Sequence, residues 1–230
     1  MARGATRRKR GGNASAGPAV GSAMRIIEAR RTSPARRPFA RDVVSVSIAA
    51  AVIFTARASL ADHYVVPSGS MSPTVHVGDR ILVDKIAYGV RVPLTDVYVV
   101  ERDGPARGDV VVLTSPEDGI VLLKRVVALP GDRVRVEDGA VEIDGEPMPV
   151  TFAGAAEEQL GHVRHALGLE HGGGPDFGPV TVPRDHYLVL GDDRGNSKDG
   201  RFFGFVPRRA ILGRAAAVFS RDGKPAYLAL

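Results

Sequence analysis

The sequence predicts a mostly β protein of curved antiparallel sheets, with an N-terminal transmembrane helix and a small insertion subdomain. Three observations predict it. From Val65 onward, short β-branched runs such as "DVVVLTS" and "RVRVE" alternate with Gly, Pro and Asp, the texture of short strands joined by tight turns. Ahead of them, "VVSVSIAAAVIFTA", Val43 to Ala56, runs fourteen residues without a charge. No regular helical crossovers separate the strands, so a doubly wound α/β sheet is excluded.

The first element is a basic tail, residues 1–41. It holds eleven Lys or Arg against Glu28 alone, a net of +10, so the remainder of the chain carries −5 of the total +5. Rich in Gly, Ala, Ser, Pro and Arg, it reads as disordered. An acidic folded part is a poor match to phosphate backbones, and no nucleic-acid partner is expected. The absence of cysteine excludes disulfides, thiolate metal sites and cysteine nucleophiles.

Residues 42–61 follow as the candidate anchor. The apolar run is short against the ~20 residues that normally span a bilayer. Three features favour spanning nonetheless: the basic flank "RRPFAR" on one side only, Arg57 placed to snorkel, and Tyr64 where interfacial aromatics collect. The charge bias then puts the N-terminus in the cytoplasm and residues 62–230 outside it, with the lipid bilayer as a partner. Two other readings stand beside this one, a buried helix and a signal peptide cleaved after "ARA" at 56–58. The long basic tail argues against the second, because n-regions are short.

The expected strands are "RILVDKIAYGV", "DVYVVE", "DVVVLTS", "IVLLKRVVAL", "RVRVE", "AVEI", "HYLVLGD" and "AILGRAAAVF". Gly-Asp pairs at Gly78, Gly108, Gly131 and Gly191 read as turns between them, without the fixed period of a repeat array. Residues 150–183 differ in texture. A helix-like piece, "AAEEQLGHVRHALGL", precedes the Gly-rich loop "EHGGGPDFGP", and together they read as an insertion. His162, His165 and His171 lack metal-site spacing and are expected at the surface.

Chemistry concentrates in two places. "VPSGSMSPT", residues 66–74, holds three serines between Pro67 and Pro73, which with Gly69 fix the local backbone. The flanking His63 and His76 form no recognisable pattern with them, and no G-x-S-x-G occurs. Lys124 is the second place. Strand alternation puts Ile120, Leu122, Lys124 and Val126 on one face and Val121, Leu123, Arg125 and Val127 on the other. Such a lysine either reaches water from a sheet edge or holds its amine in apolar surroundings. A free lysine is neutral in only about one molecule in 2,500 at pH 7, and burial lowers its pKa. A serine beside a desolvated lysine is therefore a workable nucleophile and base without histidine.

"VPSGSMSPTVHVGDRILVDKIAYG", "GDVVVL", "LLKRVVALPGDRV" and "GDDRGNSKDGRFFGFVP", in this order over residues 66–207, resemble bacterial type I signal peptidase, a membrane-bound serine protease with a Ser-Lys dyad. "SMSPT" followed by "GD" alone is shared with self-cleaving LexA-like repressors, and the curved sheets are of the type common to both. The resemblance implies Ser70 as nucleophile, Lys124 as general base, and Ser68 with the Ser70 N–H as the oxyanion hole. It makes Ser197 the residue that orients the lysine amine, Asp199 and Arg201 a supporting ion pair, Asp192 the partner of Arg125, and Ser72 structural. Val66, Pro67, Met71, Val75, Leu122 and Leu123 are the expected pocket residues. They would hold small side chains of a secretory preprotein cut after Ala-X-Ala.

The resemblance further implies a monomeric, single-pass enzyme of the cell membrane that uses no metal or cofactor. The last motif departs from the family, with Asp193 for an Asn, Gly195 for an Asp and Gly200 for a Ser, which puts the rigidity of that loop in question. A LexA-like autopeptidase should carry a DNA-binding helical domain where residues 1–64 offer a tail and an apolar run. A conjugation-type transfer peptidase would differ mainly in substrate. A non-enzymatic membrane protein would not be expected to keep both Ser70 and Lys124.

Overall fold

β-Branched residues fill the strands of this protein, and in a computed structural model every named strand pair is antiparallel. The structure describes residues 42–49, 61–91 and 98–230. Residues 42–49 form a helix, α1, whose Val43, Val44, Val46 and Ile48 are exposed. Among the described residues no helix is long and apolar enough to cross a membrane. The expected disordered tail, 1–41, and residues 50–60 of the expected anchor lie outside the described residues.

The main sheet has eight strands, β1 (Ala61–Val65), β2 (Arg80–Asp84), β5 (Val110–Thr114), β6 (Val121–Ala128), β14 (His186–Leu190), β15 (Val206–Pro207), β16 (Ile211–Arg221) and β17 (Lys224–Ala229). Their order is β1-β2-β16-β5-β6-β14-β15, and β17 also pairs with β16. The eleven-residue β16 is the spine of the sheet. Its register shifts at Ala215/Ala217 and Val218/Ser220, irregularities of the kind that bend a strand and sharpen its twist. Smaller sheets complete the fold: β3 (Gly89–Arg91) with β4 (Tyr98–Glu101), β7 (Arg133–Glu137) between β13 (Phe177–Thr181) and β8 (Ala140–Ile143), which continues to β9 (Glu146–Pro147).

Alternation decides what each strand buries. β7 reads RVRVE, and only Val134 and Val136 go inside; β5, sandwiched in the main sheet, buries Val110, Val111, Val112 and Leu113 alike. The buried side chains gather into three clusters. One holds Val66, Met71, Val75, Ile81 and Val83 under the serine segment. A second holds Val111, Leu113, Val126 and Val189. The third joins Val127 and Leu188 to the β7–β8 sheet and Leu160.

The helix-like reading of "AAEEQLGHVRHALGL" is corrected. Those residues form β11 (Ala155–Leu160) and β12 (Val163–Leu167), a hairpin that β10 (Val150–Ala153) extends to three strands. Ala, Glu, Gln and Leu favour helix, but propensity yields to tertiary pairing. In β11 the side chains that go fully inside are Glu158 and Leu160, two apart, a strand period that a helix face cannot supply. His165, expected at the surface, is only 6% exposed because its hairpin partner is Glu158. His162 and His171 are exposed as expected.

Candidate active site

The serine segment is a turn held at both ends. Val66 N–H donates to Asp79 O at 2.9 Å, Ser72 N–H to Gly69 O at 2.8 Å, and Val75 N–H to Met71 O at 2.9 Å. Met71 and Val75 point into the core at 1% and 0% exposure, anchoring the turn while Ser68 remains exposed and Ser70 half-buried. β6 brings the lysine. Lys124 Nζ lies 2.7 Å from Ser70 Oγ and 3.0 Å from the Leu123 carbonyl oxygen.

Lys124 is 2% exposed. Burial lowers its pKa, the carboxylates of Asp199 and Asp192 push the other way, and the balance leaves it at about 8. At pH 7 about one amine in ten is then neutral, some two hundred times the free-lysine fraction. Ser68 Oγ is 3.5 Å from Ser70 Oγ. Among the described residues the Ser70 N–H has no acceptor, so it and the Ser68 hydroxyl are donors available to one oxyanion.

The third contributor is the loop after β14. Gly191 N–H donates to Asp199 Oδ2 at 3.0 Å, and Arg201 binds both Asp199 oxygens at 2.9 Å. Asp199 also caps α2 (Gly200–Phe203) through the Arg201 N–H. Arg201 also donates to Gly173 O and Arg194 O, both at 2.5 Å. The Gly-rich loop is therefore part of the support of the site. Among the described residues the buried Ser197 Oγ has no hydrogen-bond partner; the bond to the lysine amine expected of it is not made in this structure.

The departures in this loop have local causes. At Gly195 a Cβ would overlap the His171 carbonyl, and at Gly200 one would sit 2.7 Å from Leu188 Cδ1 and 2.9 Å from Val189 O. The Asp193 carboxylate meets His171 Nδ1 at 3.1 Å and accepts from Asn196 Nδ2 at 3.2 Å. Each position fits the neighbouring chain.

Arg125, one residue after the lysine, donates to both Asp192 oxygens at 2.8 Å and to Gly108 O at 2.8 Å. Burial alone would raise the Asp192 carboxyl, but Arg125 outweighs it and holds the group below the ordinary carboxylate value. Sequence reasoning missed what lies beyond. His165 has Nδ1 3.5 Å from Asp192 Oδ1 and Nε2 3.1 Å from Glu158 Oε2, and Glu158 is also bound by Arg194. This buried run of charges ties the β11–β12 hairpin to β6. Its one sequence signal was a glutamate on the buried face of a short alternating segment.

Of the expected pocket residues, Val66, Pro67, Leu122 and Leu123 line one 230 Å³ pocket with Tyr64, Ile81 and Val121. Met71 and Val75 do not line it; both sit in the core cluster that Leu123 and Val66 share. Among the described residues no group of His, Asp and Glu could hold a metal ion.

A serine hydroxyl in hydrogen-bond contact with a buried, partly neutral lysine is the arrangement of a serine hydrolase that needs no histidine. Comparison with known proteins carries this further. Residues 40–220 match the family described as signal peptidase, peptidase S26. The signal peptidase I of Pseudomonas fluorescens is 39% identical over 199 residues, 76% of this chain and 70% of that protein. That of Bacillus licheniformis is 33% identical over 178 residues, 77% of this chain and 86% of the relative. A solved signal peptidase I of Enterococcus faecalis V583 is 28% identical, covering 49% of this chain and 97% of its own at a TM-score of 0.34. The chain belongs to the signal peptidase family, peptidase S26, and is a serine endopeptidase.

Proposed function

We propose that this protein removes signal peptides from secretory preproteins, with Ser70 as nucleophile and Lys124 as general base. The observation that carries the reading is the 2.7 Å contact between Lys124 Nζ and Ser70 Oγ at a lysine sealed from water. Neutral Lys124 takes the Ser70 proton as Oγ attacks the scissile carbonyl. The tetrahedral oxyanion is met by the Ser70 N–H and the Ser68 hydroxyl, each such donor worth about 3 kcal/mol in the transition state. Collapse breaks the C–N bond, the Lys124 ammonium protonates the leaving amine, and an acyl-enzyme remains. Water, deprotonated by the same amine, releases the signal peptide from Ser70.

Specificity follows from the small apolar pocket at Val66, Pro67, Leu122 and Leu123. Its size suits alanine at −1 and −3, with the substrate extended along the strand edges in a β-augmentation mode. The basic tail holds the N-terminus in the cytoplasm and residues 42–61 anchor the enzyme where the precursor's apolar segment still sits in the bilayer. The protein acts as a monomer, with Asp199, Arg201, Asp192, Arg125 and Ser197 as supporting residues. In the test, full-length protein in vesicles is given a precursor with an Ala-X-Ala site, and the cut is located by mass. Ser70→Ala and Lys124→Ala are each expected to abolish processing while the protein stays with the vesicles; undiminished cleavage by either variant sinks the dyad.

A further inference from the structure

A second pocket, of 470 Å³, opens beside the serine turn and has no part in the chemistry above. Its wall includes Ser72, Pro73, Phe152, Leu167, Glu170 and Asp193. It shares no lining residue with the apolar pocket at Val66. Chain order separates the two: the residues leading into the turn, Tyr64 to Pro67, line the apolar pocket, and those leading out, Ser72 and Pro73, line this one. The Asp193 N–H, donating to Ser70 O at 3.2 Å, ties its wall directly to the nucleophile. Followed along the serine turn, the chain thus passes from the wall of the first pocket through Ser70 to the wall of the second.

The two pockets differ in charge. Among the described residues the first has no charged side chain in its wall, while the second has two carboxylates. Asp193 is already bound by His171 and Asn196. Glu170 is exposed, and among the described residues it makes no hydrogen bond or ion pair. Phe152, at 75% exposure, adds an exposed apolar surface. A leaving amine protonated at Ser70 would also emerge as a cation beside these carboxylates.

We infer that this pocket receives the precursor residues that follow the scissile bond, and that Glu170 makes it favour a basic over an acidic side chain there. The inference rests on the Ser70–Lys124 reading. Three peptides with one Ala-X-Ala site and Lys, Ala or Glu at the second position after the cut test it on the full-length protein. The Lys peptide is expected to be cleaved with kcat/KM about threefold to fivefold above the Glu peptide, the range of an exposed charge pair, and the gap to shrink with added salt. Glu170→Gln should narrow the gap and Glu170→Lys invert it, each rate being taken relative to the Ala peptide of the same variant. Equal rates for all three peptides, or the same order in Glu170→Lys, overturn the subsite while the dyad stands. An Ala peptide left uncut by the unaltered protein overturns the dyad and the subsite together.

Discussion

The backbone of Gly191 passes so close to Ser70 that a Cβ there would overlap the Ser70 carbonyl oxygen and the Ser197 hydroxyl. The Gly-Asp pair that reads as a turn in the sequence is therefore a point of contact between the loop after β14 and the serine segment. Gly191→Ala must push the two apart, and overpacking of this kind costs about 1–3 kcal/mol. We expect a lower melting temperature and a larger loss of turnover, because the displaced atoms belong to the proposed nucleophile. A variant with the parent's melting temperature and turnover would show that the contact yields freely.

Burial of Lys124 predicts a pH profile. As the proposed base it can take a proton only when neutral, so kcat/KM for a precursor peptide should climb with pH and level off above about 8. Asp199 holds the lysine value up, so Asp199→Asn should move that limb to lower pH. A limb unmoved in Asp199→Asn, or one near the ordinary lysine value of about 10.4, contradicts the desolvated base.

The same shift predicts stability. The folded pKa lies below that of an ordinary lysine, about 8 against 10.5, so between those values the unfolded chain binds the extra proton and stability rises with pH. Below that window the buried ammonium costs on the order of 3 kcal/mol. Lys124→Met should therefore be inactive yet more stable to urea at pH 7, with the gain shrinking toward pH 10. A Lys124→Met protein less stable than the parent at pH 7 would count against the charge penalty.

How much of this was open to sequence reading depended on the range of each interaction. Alternation in "RVRVE" and the apolar run in "DVVVLTS" are written within five to seven residues, and β7 and β5 follow from them. Lys124 stands out as a charge inside an apolar strand, but its distance to a serine 54 positions away is in no local pattern. The β11–β12 hairpin was hidden because Ala, Glu, Gln and Leu carry helix propensity. What decides it is the burial of Glu158 against Arg194, 36 residues further on.

That buried group supplies another prediction. Burial alone would raise the Glu158 carboxyl, but Arg194 and His165 outweigh it and hold it low. Its contribution to stability is thus present above the ordinary glutamate value and is lost as pH falls through the lowered one. Glu158→Ala leaves Arg194 buried without its carboxylate, a change worth about 3–5 kcal/mol. The double variant Glu158→Leu with Arg194→Met should recover most of that loss, because paired apolar groups escape the desolvation cost. Urea melts decide it, and a double variant no better than Glu158→Ala would show that the ion pair itself is required.

Ser197 separates stability from catalysis. Its hydroxyl is buried, unpaired and pressed toward Gly191. An unsatisfied buried hydroxyl costs about 1–3 kcal/mol, so a purely structural Ser197 is better replaced by alanine. Ser197→Ala should melt at the parent temperature or above it. If the hydroxyl turns to the Lys124 amine during the reaction, the same variant loses turnover, by a factor of about ten for one hydrogen bond to a charged group. Ser197→Thr, which keeps the hydroxyl, should restore part of it. A variant that melts lower and turns over normally would reverse both expectations and place the hydroxyl in the scaffold.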